Sequence, residues 1–187
     1  TWQSERDGWR HIYRISRDGK QVVPITRGDF DVVEELGMDL KRGVVYFIAS
    51  PDNFTQRYLY EAKLFGKGEV RRLSPADQSG QHHYSVAPGG RWAVHTFSNA
   101  ATPPVIDRIA LPTHRRVELI TDNSRAREQW ASLGLKDKEF VKVKSDSLWL
   151  DAWMIKPADF DSTRRYPVII DVYGEPASAT VQDVWQG

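Results

Sequence analysis

Short runs of alternating apolar and polar residues fill the first 122 positions of the chain, and turn-forming residues separate them. Alternation with a period of two is typical of strands that have one buried and one exposed face. The separating segments include Asp18-Gly19, Arg42-Gly43 and Pro88-Gly89-Gly90, where glycine tolerates the backbone angles of tight turns. This pattern predicts a mainly β region of short antiparallel strands.

The strand pattern recurs at a fixed interval of 47 residues. Ile12, Leu59 and Ile106 occupy equivalent positions in three apolar runs. Gly43 and Gly90 precede two other runs at the same spacing. A period of this length, made of short strands, is typical of β-propeller blades. The first 122 residues are therefore predicted to be blades, and because a propeller needs more blades than these, we expect a piece of a longer protein.

The pattern changes at Asp122-Asn123-Ser124, which offers a capping oxygen for the start of a helix. Ala126, Trp130 and Leu133 then fall on one helical face, and a glycine follows them as a stop signal. These signals predict a short linker helix over residues 123–134.

The last part of the chain, residues 135–187, has the pattern of a second β-containing unit. Two strands are predicted over 140–144 and 148–156, with a turn between them. The run 168–172 is almost continuously apolar and β-branched, which suits a strand buried on both faces of an α/β sheet. Because ligands gather at the carboxyl ends of such strands, the turn at Tyr173-Gly174 is a candidate site.

Composition and charge narrow the classes of function. The net charge is +1, from 26 basic and 25 acidic residues, which gives no excess of cations for nucleic-acid binding. No apolar stretch approaches the length needed to cross a membrane. Cysteine is absent, which excludes disulfides, a thiolate nucleophile and a cysteine zinc site within this sequence. We expect no nucleic-acid partner, no membrane segment and no cofactor.

Several motifs follow one another in a specific order along nearly the whole chain. They lie at residues 4–13, 43–50, 119–124, 153–157, 159–161 and 166–168, and at Tyr173-Gly174 with Pro176. In this order they resemble the dipeptidyl peptidase IV branch of the prolyl oligopeptidase family of serine peptidases.

The resemblance implies an eight-bladed propeller that covers an α/β-hydrolase domain with a Ser-Asp-His triad. The implied reaction is the release of N-terminal dipeptides from a peptide substrate, typically after proline or alanine. Residues 1–122 would then be the last blades, 123–134 the linker helix, and 135–187 the start of the hydrolase domain. This chemistry needs a Gly-x-Ser-x-Gly elbow, which the sequence lacks. The triad is therefore expected outside this chain, and the chain alone is expected to be inactive.

One functional residue of the family maps onto Tyr173, whose hydroxyl would donate to the oxyanion hole. A phenol suits this task because it is a neutral donor on a rigid ring. Glu175 stands where the family usually has glycine. A carboxylate so close could raise the pKa of the tyrosine or disturb the turn.

Two other residue pairs suggest binding chemistry, and a structural interpretation is simpler for both. Glu34 and Glu35 resemble the glutamates with which the family holds a substrate's amino group, but here they belong to a blade strand. His82 and His83 are adjacent, so on a strand they point to opposite faces and cannot easily share a metal. No metal site is predicted.

Two alternative functions remain open at this point. A propeller without catalytic activity could bind proteins or peptides, since fold does not fix function. A different peptidase of the same clan, such as an acylaminoacyl peptidase or an oligopeptidase, fits the same motifs. For the parent protein, the resemblance leaves a homodimer open and suggests a periplasmic or extracellular location.

Overall fold

The computed structural model describes residues 1–172, 174 and 179–186, which form thirteen strands and one helix. In chain order these are β1 (Trp2–Ser4), β2 (His11–Ile15), β3 (Val22–Pro24), β4 (Val32–Asp39), β5 (Val44–Ala49), β6 (Tyr58–Lys63), β7 (Val70–Arg72), β8 (Gln81–Val86), β9 (Trp92–Asn99), β10 (Thr102–Ala110), β11 (Arg115–Thr121), α1 (Ser124–Ser132), β12 (Glu139–Ser145) and β13 (Leu148–Met154).

The strands form three meandering antiparallel sheets and one hairpin. Sheet 1 has the order β1-β2-β3, sheet 2 the order β4-β5-β6-β7, and sheet 3 the order β11-β10-β9-β8. Among the described strands, β12 and β13 pair only with each other. The prediction of a mainly β chain made of short antiparallel strands is confirmed.

The interval of 47 residues corresponds to equivalent hydrogen bonds in neighbouring sheets. In sheet 1, the N–H of Ile12 donates to the Thr26 hydroxyl at 3.0 Å, and the N–H of Ile25 donates back to the Ile12 carbonyl at 2.7 Å. In sheet 2, the N–H of Leu59 donates to the Ser74 hydroxyl at 2.7 Å, and Leu73 donates back at 2.7 Å. In both sheets, therefore, the hydroxyl residue that follows the last strand holds that strand to the one before it.

The core consists of two layers, one on each side of sheet 2. All six residues of β5 are buried, and their side chains alternate between the two layers. Val45 and Phe47 pack toward Ile12 of sheet 1, whereas Val44 and Tyr46 pack toward sheet 3. Face-to-face packing of successive twisted sheets is the arrangement expected of propeller blades.

The predicted helix forms as α1, but its start differs from the sequence expectation. Asn123 is the N-cap residue with a φ of 50°, and its side chain makes no capping hydrogen bond. Its amide instead donates to the Pro104 carbonyl at 2.7 Å, which ties the helix start to β10. Gly134 follows the helix with a φ of 64°, as expected for a glycine that ends a helix.

The predicted strand pair also forms, as β12 and β13. Their turn contains Asp146, which has a φ of 51°. The second strand ends at Met154, two residues earlier than predicted.

The expected strand at 168–172 is absent. No described strand pairs with this segment, and Val168, Ile169 and Ile170 are 78%, 98% and 79% exposed. A strand buried on both faces needs neighbouring strands and covering helices, and the described part of the chain supplies neither. No α/β sheet is therefore present in the described residues. None of the helices described here is long and apolar enough to span a membrane.

Candidate functional site

Tyr173 and Glu175, the two residues on which the predicted oxyanion hole depends, lie outside the described residues, as does Pro176. Their roles remain predictions. Glu34 and Glu35 lie in β4, as expected for a blade strand. Glu35 accepts a hydrogen bond of 2.7 Å from the Thr1 hydroxyl.

Sheet 3 carries a cluster of polar side chains, the histidine cluster, that consists of His82, Tyr84, His95, Asp107 and His114. Strand register brings it together, because Tyr84 in β8 lies opposite His95 in β9, and His95 lies opposite Asp107 in β10. His82 precedes Tyr84 by two residues and so shares its face. His114, in the turn between β10 and β11, closes the cluster from one end.

A chain of hydrogen bonds runs through this cluster. The Gln78 carbonyl lies 2.9 Å from His82 Nε2, and His82 Nδ1 lies 2.9 Å from His95 Nε2. His95 Nδ1 lies 2.9 Å from Asp107 Oδ1. Arg116 Nε donates to the second oxygen of Asp107 at 2.7 Å and so balances the charge of this buried carboxylate.

The Tyr84 hydroxyl lies at the centre of the same cluster. It lies 2.8 Å from His114 Nε2, 3.3 Å from His82 Nδ1 and 3.0 Å from the Ser74 hydroxyl. Because Ser74 also holds β6 to the end of sheet 2, Tyr84 links the cluster to the neighbouring sheet. Burial raises the pKa of Tyr84, so the hydroxyl stays protonated and neutral.

Burial also keeps the three imidazoles neutral. It lowers the pKa of His82 to about 3, against the smaller opposing effect of the Gln78 carbonyl. Burial is also the main reason why the pKa of His95 is lowered to about 4. The electrostatic effect of His114 lowers this pKa further, and Asp107 acts in the opposite direction. Burial is also the main cause of the lowered pKa of His114. Neutral imidazoles are metal ligands, and the ligand atoms of these three lie within 4.8 Å of one another.

In the sequence, the only histidine near His82 is its neighbour His83. The expectation that His82 and His83 face opposite sides is confirmed, since His82 is fully buried and His83 is exposed. The partners of His82 come instead from the next strand and from a turn 32 positions away. Only strand register brings them together, and no local spacing in the sequence signals it.

A second polar cluster joins sheets 2 and 3. The Glu61 carboxylate accepts hydrogen bonds from Arg42 at 2.9 and 3.2 Å and from Arg71 at 3.0 and 2.6 Å. Arg42 also donates to the hydroxyl of Tyr46, which donates in turn to the Gly90 carbonyl at 3.1 Å. Each side chain in this cluster has a hydrogen-bond partner, so we interpret the cluster as a structural contact between the two sheets.

The segment 179–186 returns to the same two sheets. The Asp183 N–H donates to the Thr55 carbonyl at 2.8 Å, and its carboxylate accepts from Gln56 Nε2 and from the Ala100 N–H, both at 2.9 Å. Trp185 contacts Trp130 of α1 edge to face, with the ring centroids 5.2 Å apart.

Comparison with known proteins places this architecture. The family model for the N-terminal region of dipeptidyl peptidase IV matches residues 1–104, more than half of the chain. The crystal structure of Porphyromonas gingivalis dipeptidyl peptidase 4 matches 99% of the chain at a TM-score of 0.89 and 32% identity. Among curated proteins, the Probable dipeptidyl-aminopeptidase B of Chaetomium globosum is 30% identical and the Dipeptidyl-aminopeptidase B of Aspergillus niger 26% identical, each over 94% of the chain.

The chain spans only part of these proteins. It covers 19% of the Chaetomium protein, 20% of the Aspergillus protein and 26% of the Porphyromonas chain. The repeat, the three stacked sheets and the family match agree with one another. This chain belongs to the dipeptidyl peptidase IV family, as a portion that includes part of its N-terminal region.

Proposed function

We propose that the chain is a segment of a serine-type dipeptidyl peptidase, an enzyme that releases dipeptides from the N-termini of peptides. In this proposal residues 1–122 are the last blades of the propeller and 123–134 the linker. Residues 135–187 begin the α/β-hydrolase domain, and the catalytic triad lies elsewhere in the enzyme. The observation that carries the proposal is the match to Porphyromonas gingivalis dipeptidyl peptidase 4 over nearly the whole chain. That match extends well beyond the three sheets.

The exposed segment 168–172 supports the boundary at the hydrolase domain. Four of its large apolar residues are between 78% and 98% exposed, namely Val168, Ile169, Ile170 and Val172. Contiguous apolar surface of this kind needs cover. Its β-branched composition fits a strand whose neighbours the rest of a hydrolase sheet would supply.

Tyr173 follows this segment directly, and we assign it the oxyanion-hole role. An O–H donor at the carboxyl end of a sheet strand suits that role because it can stabilise the negative charge that develops on a carbonyl oxygen. The supporting observation is the sequence motif alone, with Glu175 as its departure from the family.

The proposal is tested by reading the coding sequence on both sides of this segment. We expect a Gly-x-Ser-x-Gly elbow downstream, followed by the aspartate and histidine of a triad in that order. We also expect a pair of consecutive glutamates upstream, which would support dipeptide release over other activities of the clan. An uninterrupted reading frame without the elbow would refute the enzyme and favour a propeller that binds proteins or peptides.

A further inference from the structure

The histidine cluster contains a conflict that hydrogen bonding alone does not resolve. His82 Nε2 faces a backbone carbonyl at 2.9 Å, and a carbonyl only accepts, so this nitrogen must carry the proton. His95 Nδ1 faces the Asp107 carboxylate at 2.9 Å, which also only accepts, so this nitrogen must carry the proton as well. In the neutral imidazoles, the remaining two nitrogens are then both unprotonated.

Those two nitrogens, His82 Nδ1 and His95 Nε2, face each other at 2.9 Å. Two lone pairs at this distance repel unless a cation lies next to both. The Tyr84 hydroxyl carries one proton and lies 3.3 Å from His82 Nδ1, so it can serve that nitrogen and leaves the lone pair of His95 without a donor.

The buried histidine of sheet 1 shows that the conflict is specific to sheet 3. His11 Nε2 lies 3.0 Å from the Gly28 carbonyl, and its Nδ1 lies 3.0 Å from the Thr26 hydroxyl. A hydroxyl can donate, so both nitrogens of His11 are satisfied in one neutral tautomer.

A bridging proton is a poor solution for the cluster. A proton shared between His82 and His95 would satisfy only the two facing nitrogens, and it would give no role to the third imidazole beside them. A metal ion suits the neutral rings, because it accepts lone pairs from both. His114 supplies a third ring nitrogen, within 4.8 Å of the other two ligand nitrogens.

The surroundings of His82 and His95 match those of metal ligands. A ligating histidine commonly donates its other ring N–H to a carboxylate or a backbone carbonyl, which fixes its orientation. Asp107 does this for His95, and the Gln78 carbonyl does it for His82. Imidazole ligands without a ligating carboxylate favour zinc and other transition-metal ions, such as copper and nickel, over calcium or magnesium.

We propose that His82, His95 and His114 bind a zinc ion. Zinc–nitrogen bonds of about 2.0–2.1 Å in a tetrahedral site separate two ligand nitrogens by roughly 3.3–3.4 Å, so the facing pair needs to move apart by only a few tenths of an ångström. His114 is only half-buried, so solvent reaches this end of the histidine cluster. The ion would fasten the turn between β10 and β11 to β8 and β9, whatever reaction the protein catalyses.

Zinc titration of the full chain, freed of metal with a chelator, tests the proposal. We expect one zinc ion per chain, and visible absorption bands of tetrahedral cobalt when Co²⁺ replaces zinc. His114→Asn should weaken zinc binding by about tenfold or more and abolish the cobalt bands. Asparagine is chosen because it tolerates the positive φ of 56° at this position.

His83→Asn is the matched control, since it removes the exposed histidine next to His82 and should leave zinc binding unchanged. Zinc should also protect His114, but not His83, from diethyl pyrocarbonate in the wild-type chain. This second measurement does not depend on the folding of a variant. Absence of stoichiometric binding by the folded chain, equal binding by His114→Asn, or unprotected His114 would each overturn the proposal.

Discussion

The hydroxyl of Tyr46, a fully buried residue of sheet 2, donates a hydrogen bond of 3.1 Å to the carbonyl of Gly90 in the turn before β9. The two residues are 44 positions apart, so this bond joins two successive repeats. Tyr46→Phe should lower the free energy of unfolding by about 1–2 kcal/mol, because it leaves the buried carbonyl without its donor. Urea denaturation of the chain measures this change.

Tyr60→Phe is the control for that experiment. Tyr60 is also buried in sheet 2, stacked on Phe47, but its hydroxyl has no hydrogen-bond partner among the described residues. Its loss should change stability by a few tenths of a kcal/mol. Equal losses in the two variants would mean that the Gly90 contact contributes nothing.

A side chain at Gly90 should destabilise the protein more than a side chain at Gly89. Its φ is 65°, and a Cβ would lie 2.7 Å from the Tyr46 ring and 2.9 Å from Asp39 Cβ. Gly89 also has a positive φ, 81°, but a Cβ there would meet nothing within 4 Å. We expect Gly89→Ala to cost about 1–2 kcal/mol from backbone strain. Gly90→Ala should lower the free energy of unfolding by about 1–3 kcal/mol more than Gly89→Ala, because its Cβ overpacks the core. Identical urea unfolding curves for the two variants would contradict this expectation.

Acid should weaken the interaction of Glu61 with Arg42 and Arg71. Burial alone would raise the pKa of Glu61, but the hydrogen bonds and charges of Arg42 and Arg71 outweigh it and hold the pKa below its usual range. A carboxylate with a lowered folded-state pKa stabilises the protein above its unfolded-state pKa, and this contribution disappears as the pH falls through the folded-state value. The Tm of the wild type should therefore fall more steeply than that of Glu61→Gln between neutral pH and about pH 3.

Glu118→Gln provides the control for the acid experiment. Glu118 pairs with Arg108 at 3.1 Å, but its side chain is 58% exposed, and such surface pairs contribute little. Its pH profile should follow the wild type. A constant difference in Tm between the wild type and Glu61→Gln at every pH would show that Glu61 is not the titrating group.

The 187-residue chain alone should release no dipeptide from a Gly-Pro chromogenic substrate, because its sequence contains no Gly-x-Ser-x-Gly elbow. A single oxyanion donor without a nucleophile gives no useful rate. The purified chain, with its fold verified by circular dichroism, is the sample to assay. Release that is blocked by a serine-directed reagent would contradict this expectation.

Tyr173→Phe, in an active enzyme that contains this segment, should lower kcat roughly 10²–10³-fold, the usual effect of removing one oxyanion donor. KM should change less, since the hydrogen bond strengthens only as the carbonyl becomes tetrahedral. The melting temperature should stay near that of the wild type because the ring remains. Glu175→Gly should leave kcat unchanged or raise it. A wild-type kcat in a folded Tyr173→Phe enzyme would assign this tyrosine a packing role.

Sequence patterns predicted the features that depend on local order. The equivalence of Ile12 and Leu59 was visible from their spacing of 47 residues, and the structure shows that each donates its N–H to a hydroxyl group, 14 positions later in one repeat and 15 in the other. Helix α1 and the hairpin β12–β13 were visible because periodicity and turn residues act within a few positions.

Features that depend on pairing between distant strands escaped the sequence patterns. The contact of His82 with His95 follows from the register of β8 against β9, and His114 reaches both only because β10 returns beside β9. The prediction of a strand at 168–172 was wrong for a related reason. Its apolar, β-branched pattern is typical of a buried strand, but such a strand forms only beside neighbouring strands, and no described strand pairs with this segment.

Asp183 connects sheet 2 to sheet 3 through three hydrogen bonds. Its N–H and both carboxylate oxygens are used at once, two bonds to the loop before β6 and one to the turn after β9. Separation of the loop before β6 from the turn after β9 would therefore break at least one of these bonds. Asp183 acts as a cross-link between the two sheets, and the contact of Trp185 with α1 holds the same segment to the helix.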